Sequence, residues 1–555
     1  MRWHAPARFV ALSAAKGPHL LLLLLMLTAH IAFAQGAAPT YQPGINVVNY
    51  EFGLVLPDSG SLVRGDAIIA VRRSAGVSRL SLDLVDALTV RQVDVNGRGV
   101  KSAHVNGRID IPLDGTGDSL EVHVAYDGPV SDGLVVRKDA KGRWTWFGDT
   151  WPNRARHWLP TVDHPSDKAS VTWKVTAAPE LTVVANGSLV SENRVSVDGI
   201  PRRETRWRES RPIPTDVMVI AAAPLVRFDI NEPACHLGDE GQCVRQMVYV
   251  MPENAAWLPG VFTSVGPIVS LFERLVGPFP YEKLAHLESS TRFGGMENAS
   301  AIFYDGKLFS APTIKDGLLA HETAHQWFGD AVTEREWSHL WLSEGFATYF
   351  AALWTKQARG DAAYRTEMAG IRDQVLAARE VATRPVIDTA QTDYMALLNT
   401  NSYQKGGYVL YMLHEQLGDS AFFGALRSYY ATYRHGTALS DDLRREFEKT
   451  SGRSLTQFFE QWLRRPGFAT PTLAWEFDGP RNTVTVRVVQ ESAQGAYELW
   501  MPVAITDAAG TTTRLSVKIP AEARSSIVLP GRYTSKPASV VFDPDNRLLA
   551  RIVRQ

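Results

Sequence analysis

Apolar and polar positions alternate one by one through much of the stretch from Tyr41 to Phe228. The runs Val63-Arg64-Gly65-Asp66-Ala67-Ile68-Ile69-Ala70-Val71, Leu80-Ser81-Leu82-Asp83-Leu84 and Leu120-Glu121-Val122-His123-Val124 carry the pattern. Asn96-Gly97 and Asn106-Gly107 punctuate it as turns. Successive side chains on a strand point to opposite faces, so the alternation predicts half-buried strands joined by tight turns, an all-β domain. Between about Val248 and Arg465 the spacing lengthens to that of helices, with Ser440-Asp441-Asp442 as a helix start and Arg464-Arg465-Pro466-Gly467 as a stop. Alternation returns after Thr470, most clearly in Thr483-Val484-Thr485-Val486-Arg487-Val488. The pattern predicts a multidomain α+β chain: a β domain over 35–245, a mostly helical domain over 246–465 and a small β domain over 466–555.

The first 34 residues stand apart from this pattern. Arg2, Arg8 and Lys16 precede the apolar run Leu20–Leu27, and Ala32-Phe33-Ala34 supplies the small-x-small pattern of a signal-peptidase site before Gln35. A bilayer span needs about 20 apolar residues, so residues 1–34 read as a cleaved signal and the chain as exported, to the periplasm or beyond, with no stable membrane span. The two cysteines, Cys235 and Cys243, bracket a turn-forming stretch. In an oxidising compartment they are expected to form a disulfide that contributes about 2.5 kcal/mol through chain entropy.

Length and composition narrow the class further. At 555 residues the chain is long enough for roughly two to four domains, and 45% apolar with 21% charged residues is a soluble globular composition. Lys+Arg (58) and Asp+Glu (59) nearly cancel, without the basic excess of an electrostatic nucleic-acid binder, so no nucleic-acid partner is expected.

Candidate chemistry lies in the helical domain. His321-Glu322-Thr323-Ala324-His325 sits inside a helical stretch from Leu318 to Phe328 that Gly329 stops. Residues i and i+4 share a helix face, so both imidazoles can reach one ion, and Glu322 is placed to take a proton from water at that ion. A catalytic zinc uses three protein ligands and keeps one position open. Glu344, after eighteen intervening residues, is the candidate third ligand: Trp341, Leu342 and Phe346 beside it would otherwise bury an unpaired carboxylate at a cost.

Two further motifs stand at fixed distances from this one. Gly294-Gly295-Met296-Glu297-Asn298 ends 23 residues before His321, and Tyr403-Gln404-Lys405-Gly406 begins 59 after Glu344. Together these motifs resemble the aminopeptidase N and leukotriene hydrolase family of gluzincin zinc peptidases, peptidase family M1. The resemblance runs from the β-rich N-terminal part through Trp462 and implies an N-terminal β-sandwich, a thermolysin-like catalytic domain and a small C-terminal β-sandwich. It implies one zinc ion held by His321, His325 and Glu344, with Glu322 as general base and Tyr403 stabilising the oxyanion. Glu297 would receive the free α-ammonium of a peptide substrate, and the segment of Gly294, Gly295 and Met296 would bind the peptide backbone as an edge strand.

The sequence departs from the family at one place. Relatives often carry Gln-x-Glu or Gln-x-Gln upstream of a segment that Arg156, Pro160, Asp163 and Pro165 fit; here those two positions are Asp149 and Trp151. Either Asp149 replaces the second amine anchor or Glu297 acts largely alone. The residues after Trp462 leave no room for the large helical C-terminal domain of longer relatives, so an open active-site mouth is expected. The resemblance thus implies an exported aminopeptidase. An endopeptidase or epoxide hydrolase on the same scaffold is the neighbouring reading, and a non-catalytic binding protein would have lost a ligand or Glu322, which this chain has not. Asn298-Ala299-Ser300 also matches a glycosylation sequon.

Overall fold

The strand pattern of the N-terminal part folds into a mixed sheet of eight strands in a computed structural model. The structure describes residues 41–113, 115, 117–230, 244–309, 314–492 and 494–555, without the side chains of 257–260. The proposed signal segment 1–34 and the cysteines Cys235 and Cys243 lie outside these residues. Gly44–Gln555 form one unit, described here.

In the eight-stranded sheet the order is Ser188–Val197, Ile200–Pro214, Lys168–Ala177, Ile45–Val55, Leu62–Arg73, Ser119–Pro129, Thr89–Val95 and Arg98–Gly99. Along Leu62–Arg73 the buried positions are Val63, Gly65, Ala67, Ile69 and Val71, the inward half of the alternation read from the sequence. Large aromatics fill the space beneath. Trp158 stacks on Trp173 at 5.7 Å, and Phe52 lies 5.2 Å from Trp173.

A second sheet of Thr182–Ala185, Ile220–Ala223, Trp144–Gly148 and Leu134–Lys138 meets the catalytic domain. Its strand Ile220–Ala223 is buried at every position. At this junction the Asn186 amide donates to Ala299 O at 2.7 Å, and Gly187 N donates to Ser300 Oγ at 2.7 Å. Phe147 packs edge-on to Phe303 at 6.0 Å. The N-terminal domain thereby braces the loop that follows Glu297.

The catalytic domain opens with a five-stranded sheet ordered Val226–Asp229, Arg245–Val250, Lys283–Ser289, Ala301–Asp305 and Gly295–Met296. Val226–Asp229 pairs antiparallel with Arg245–Val250, so the domain boundary expected at 245 moves to a point before Val226. Gly295–Met296 is the edge strand, antiparallel to Ala301–Asp305, and no strand pairs with its outer side among the described residues. Helices Asp316–His325, Trp341–Ala377, Gly406–Leu417, Asp419–Tyr433 and Ser440–Ser451 make up most of the remainder. Among the described residues no helix is long and apolar enough to cross a membrane.

The C-terminal part has two sheets. One is ordered Arg524–Val528, Thr483–Val489, Thr472–Asp478 and Val553–Arg554; the other Thr512–Ile519, Leu499–Thr506 and Ser539–Phe542. Arg372 donates to Leu548 O at 3.0 Å and Trp462 packs on Tyr497 at 5.0 Å, fastening these sheets to the helices.

Candidate active site

Helix Asp316–His325 carries His321 and His325 one turn apart, with their Nε2 atoms 3.2 Å from each other. A turn at Gly329 sends the chain back into helix Trp341–Ala377, whose first turn bears Glu344. Glu344 Oε2 stands 3.3 Å from His321 Nε2 and 3.4 Å from His325 Nε2. Ligands held about 2.0–2.1 Å from a tetrahedral zinc ion lie about 3.3–3.4 Å from one another, so the three atoms form one face of such a tetrahedron. Oε2 of Glu344 is also buried with no hydrogen-bond donor among the described residues. Two imidazoles and a carboxylate with these separations fit zinc.

Packing sets this geometry. Phe346 stacks on Phe328 at 4.1 Å and lies 6.4 Å from Trp341, locking the second helix against the first. Ser343 Oγ lies 2.9 Å from His325 Nδ1 and donates to Phe328 O at 3.4 Å. The hydroxyl thus accepts from Nδ1–H, which assigns the tautomer and leaves the Nε2 lone pair for the metal. Gly329, at φ 121°, permits the approach: a Cβ there would stand 2.4 Å from Ser343 Oγ.

Glu322 lies on the same helix against the edge strand. A Cβ on Gly295 would fall 2.2 Å from Glu322 Oε1, so this glycine lets the strand cross directly over the carboxylate. Gly294 has nothing within 4 Å of such a Cβ. Ligand atoms of Glu297, Glu322 and His325 all lie within 4.8 Å of one another. Burial, with the Glu297 and Glu344 charges adding to it and His325 opposing, holds Glu322 well above the usual carboxylate range. Glu297 is raised for the same first reason, burial, and by Glu344. Burial would raise Glu344 too, but the two imidazoles beside it hold it at about 2.

Tyr403 reaches this group from a third direction. It sits in a π-helical turn, Asn401–Lys405, ahead of helix Gly406–Leu417, and its ring lies parallel to His321 at 6.0 Å. The helices bearing Glu344 and Tyr403 touch through glycines: a Cβ on Gly345 would stand 2.8 Å from the Gly406 carbonyl carbon. Burial, then the charge and hydrogen bond of Glu344, push the Tyr403 phenol well above its ordinary value, so it stays protonated.

These groups line a cavity of about 540 Å³ together with Trp151, Phe293, Gly294, Gly295 and Met296. The cavity opens to solvent past exposed Gly294 and Gln374. Asp149 is not among its lining residues. Its carboxylate is fully buried and paired with Arg292 at 2.8 Å and Arg154 at 3.1 Å, which corrects its candidacy as the second amine anchor. Trp151 lines the cavity at that end, edge-on to Phe293 at 5.9 Å. Arg156 and Asp163 form a structural pair at 2.9 Å. Asn298 is wholly buried, so the sequon there is closed to glycosylation.

Gln326 is a positioning residue that the motif reading missed, although it directly follows His325. Its Nε2 donates to Glu297 O at 2.7 Å and Asp330 Oδ2 at 2.8 Å, while its Oε1 accepts from Ser300 N at 2.7 Å. One side chain thus ties the metal-binding helix to both ends of the turn after Glu297. Ser300, at φ 62°, is held there also by Lys283 Nζ, which donates to its carbonyl at 2.8 Å.

Two substitutions should separate metal orientation from strand support. Ser343→Ala is expected to weaken zinc binding about 10- to 100-fold in a chelator competition, with little loss of folding stability. Gln326→Leu strands buried polar partners and should cost about 2–5 kcal/mol in urea unfolding, with a smaller effect on zinc affinity.

Known proteins place this geometry in context. The Peptidase M1 N-terminal domain matches residues 61–217 and the Peptidase family M1 domain matches residues 266–462. Aminopeptidase M1-D of Oryza sativa subsp. japonica is 27% identical over 74% of this chain and 49% of its own length. Aminopeptidase N of Streptomyces lividans is 27% identical over 80% of this chain and 53% of its own. The chain therefore spans about half the length of these curated relatives. A mutant M1 zinc metallopeptidase from Deinococcus radiodurans, crystallised with a Tyr-Ser-Ala substrate, shares the fold with TM-score 0.66 at 24% identity, over 76% of this chain and 95% of that one. With both family domains matched in order and their motifs gathered around one cavity, the chain belongs to peptidase family M1.

Proposed function

We propose that the chain is an exported, zinc-dependent aminopeptidase that removes single residues from the free N-termini of peptides. The observation that carries this reading is the position of Glu297, whose carboxylate clusters within 4.8 Å of Glu322 and His325. A substrate ammonium paired with Glu297 leaves about one residue between the chain end and the reacting carbonyl. When bound by His321, His325 and Glu344, zinc supplies Lewis acidity that polarises an amide carbonyl and makes water nucleophilic near neutral pH.

The remaining work belongs to the chain's own residues. Glu322 accepts a proton from the attacking water on its carboxylate and passes it to the departing amine nitrogen. Tyr403 keeps its phenolic proton and donates it as a hydrogen bond to the substrate oxygen as charge develops there. Such a preorganised donor is worth roughly 10²–10³ in rate. The edge strand Gly295–Met296 offers backbone groups to an extended peptide, and bare Gly294 lets it approach.

The names of the rice and Streptomyces relatives and the tripeptide bound in the Deinococcus enzyme support the same substrate class. Glu297 weighs against an endopeptidase, whose substrates present no ammonium there. Export rests on Arg2, Arg8 and Lys16, the apolar run after them and the Ala32-Phe33-Ala34 site; mass spectrometry of the mature protein should then find Gln35 at its N-terminus.

The direct test compares one peptide with its N-terminus free and acetylated. Rapid release of the first residue from the free form alone is expected. Glu297→Ala should cut kcat/KM on that form by roughly 30- to 1000-fold, the cost of removing one partner from a buried charge pair. Internal cleavage that ignores acetylation would assign an endopeptidase instead.

A further inference from the structure

Four carboxylates line the cavity: Glu297, Glu322, Glu344 and Glu367. The first three serve the amine, the proton and the metal in the reading above. Glu367 has no such part. It lies in the second half of the long helix Trp341–Ala377, beyond the break at Gly360, where φ is 82° and ψ is 175°. No lysine or arginine lines the cavity among the described residues, and none of them pairs with or hydrogen-bonds to the Glu367 carboxylate.

The two halves of this helix each turn one stripe toward the cavity. Glu344, Thr348 and Ala351 recur at helical spacing before the break; Glu367, Ile371 and Gln374 recur at the same spacing after it. Ala351 and Ile371 are buried, and half-buried Leu398 joins them. The lining thus offers apolar surface from Ala351, Ile371 and Leu398 beside the polar Thr348 and Gln374, with one carboxylate, Glu367, that has no ion pair among the described residues. Such a surface complements a side chain with an aliphatic stem and a cationic head. Acidic side chains would meet like charge there, and short neutral ones would leave the carboxylate unused.

We propose that Glu367 makes the site selective for peptides that carry lysine or arginine beside the scissile bond, in the first or second residue. This selectivity rests on the aminopeptidase reading and adds a substrate class to it.

The test uses zinc-loaded full chain and the tripeptides Ala-Ala-Ala, Lys-Ala-Ala, Ala-Lys-Ala and Glu-Ala-Ala. In the wild type, kcat/KM for one lysine peptide should exceed that for Ala-Ala-Ala by about three- to thirtyfold. Glu367→Gln should bring that ratio to near one, and Glu367→Lys should invert it in favour of Glu-Ala-Ala. Zinc content measured on each variant guards against a folding defect. Cleavage of Ala-Ala-Ala without a lysine preference, or a preference that Glu367→Gln leaves intact, overturns the assignment of Glu367 alone. If zinc-loaded wild type cleaves none of the four, the aminopeptidase reading falls. Calorimetric binding of Lys-Ala-Ala and Ala-Ala-Ala to wild type and Glu367→Gln then decides the subsite by the same ratio.

Discussion

Three carboxylates, Glu297, Glu322 and Glu344, share a buried pocket with His321 and His325, and the rest of the catalytic domain answers to that crowding of charge. Like charges a few ångströms apart away from water repel strongly, and each carboxylate also loses its hydration. A divalent cation held by His321, His325 and Glu344 would offset both costs. Burial raises the proton affinity of Glu322, with the Glu297 and Glu344 charges adding to it, whereas the two imidazoles beside Glu344 outweigh burial and hold its carboxyl low.

Holding such a cluster requires backbones to come closer than ordinary side chains allow. Gly295 brings the edge strand over Glu322, and Gly345 against Gly406 brings the helix of Glu344 to that of Tyr403. Around them Ser343 orients His325, and Gln326 ties the same helix to the Glu297 turn. The N-terminal domain takes part through Asn186 and Gly187, which grip Ala299 and Ser300 at the far side of that turn. The turn after Glu297 and the helix of the candidate metal ligands thus rest on one continuous hydrogen-bonded layer.

Much of this was legible in the sequence, for a physical reason. Helical periodicity is local, so the shared face of His321 and His325 could be read from their spacing; Glu344, on another helix, was legible from the apolar neighbours that bury it, and the alternation in Val63–Val71 from its period. Pairing over long separations could not be read so. Val226–Asp229 looks like any short strand, and only its partner Arg245–Val250 assigns it to the catalytic sheet. Asp149 looked available to a substrate because Arg292, which pairs with its carboxylate, lies far along the chain. Gln326 carried no signal beyond its place after His325, since two of its three partners, Glu297 and Ser300, lie far back along the chain.

The most direct measurement of the charge argument is the thermal unfolding of zinc-stripped protein as zinc is returned. If the buried carboxylates depend on a cation, zinc should bind at one ion per chain and raise the melting temperature by several degrees. Ligand present at about 1,000 times its Kd contributes about 4 kcal/mol, and the rise should vanish in Glu344→Ala. An unchanged melting temperature with zinc absent from the protein would contradict the account at its centre.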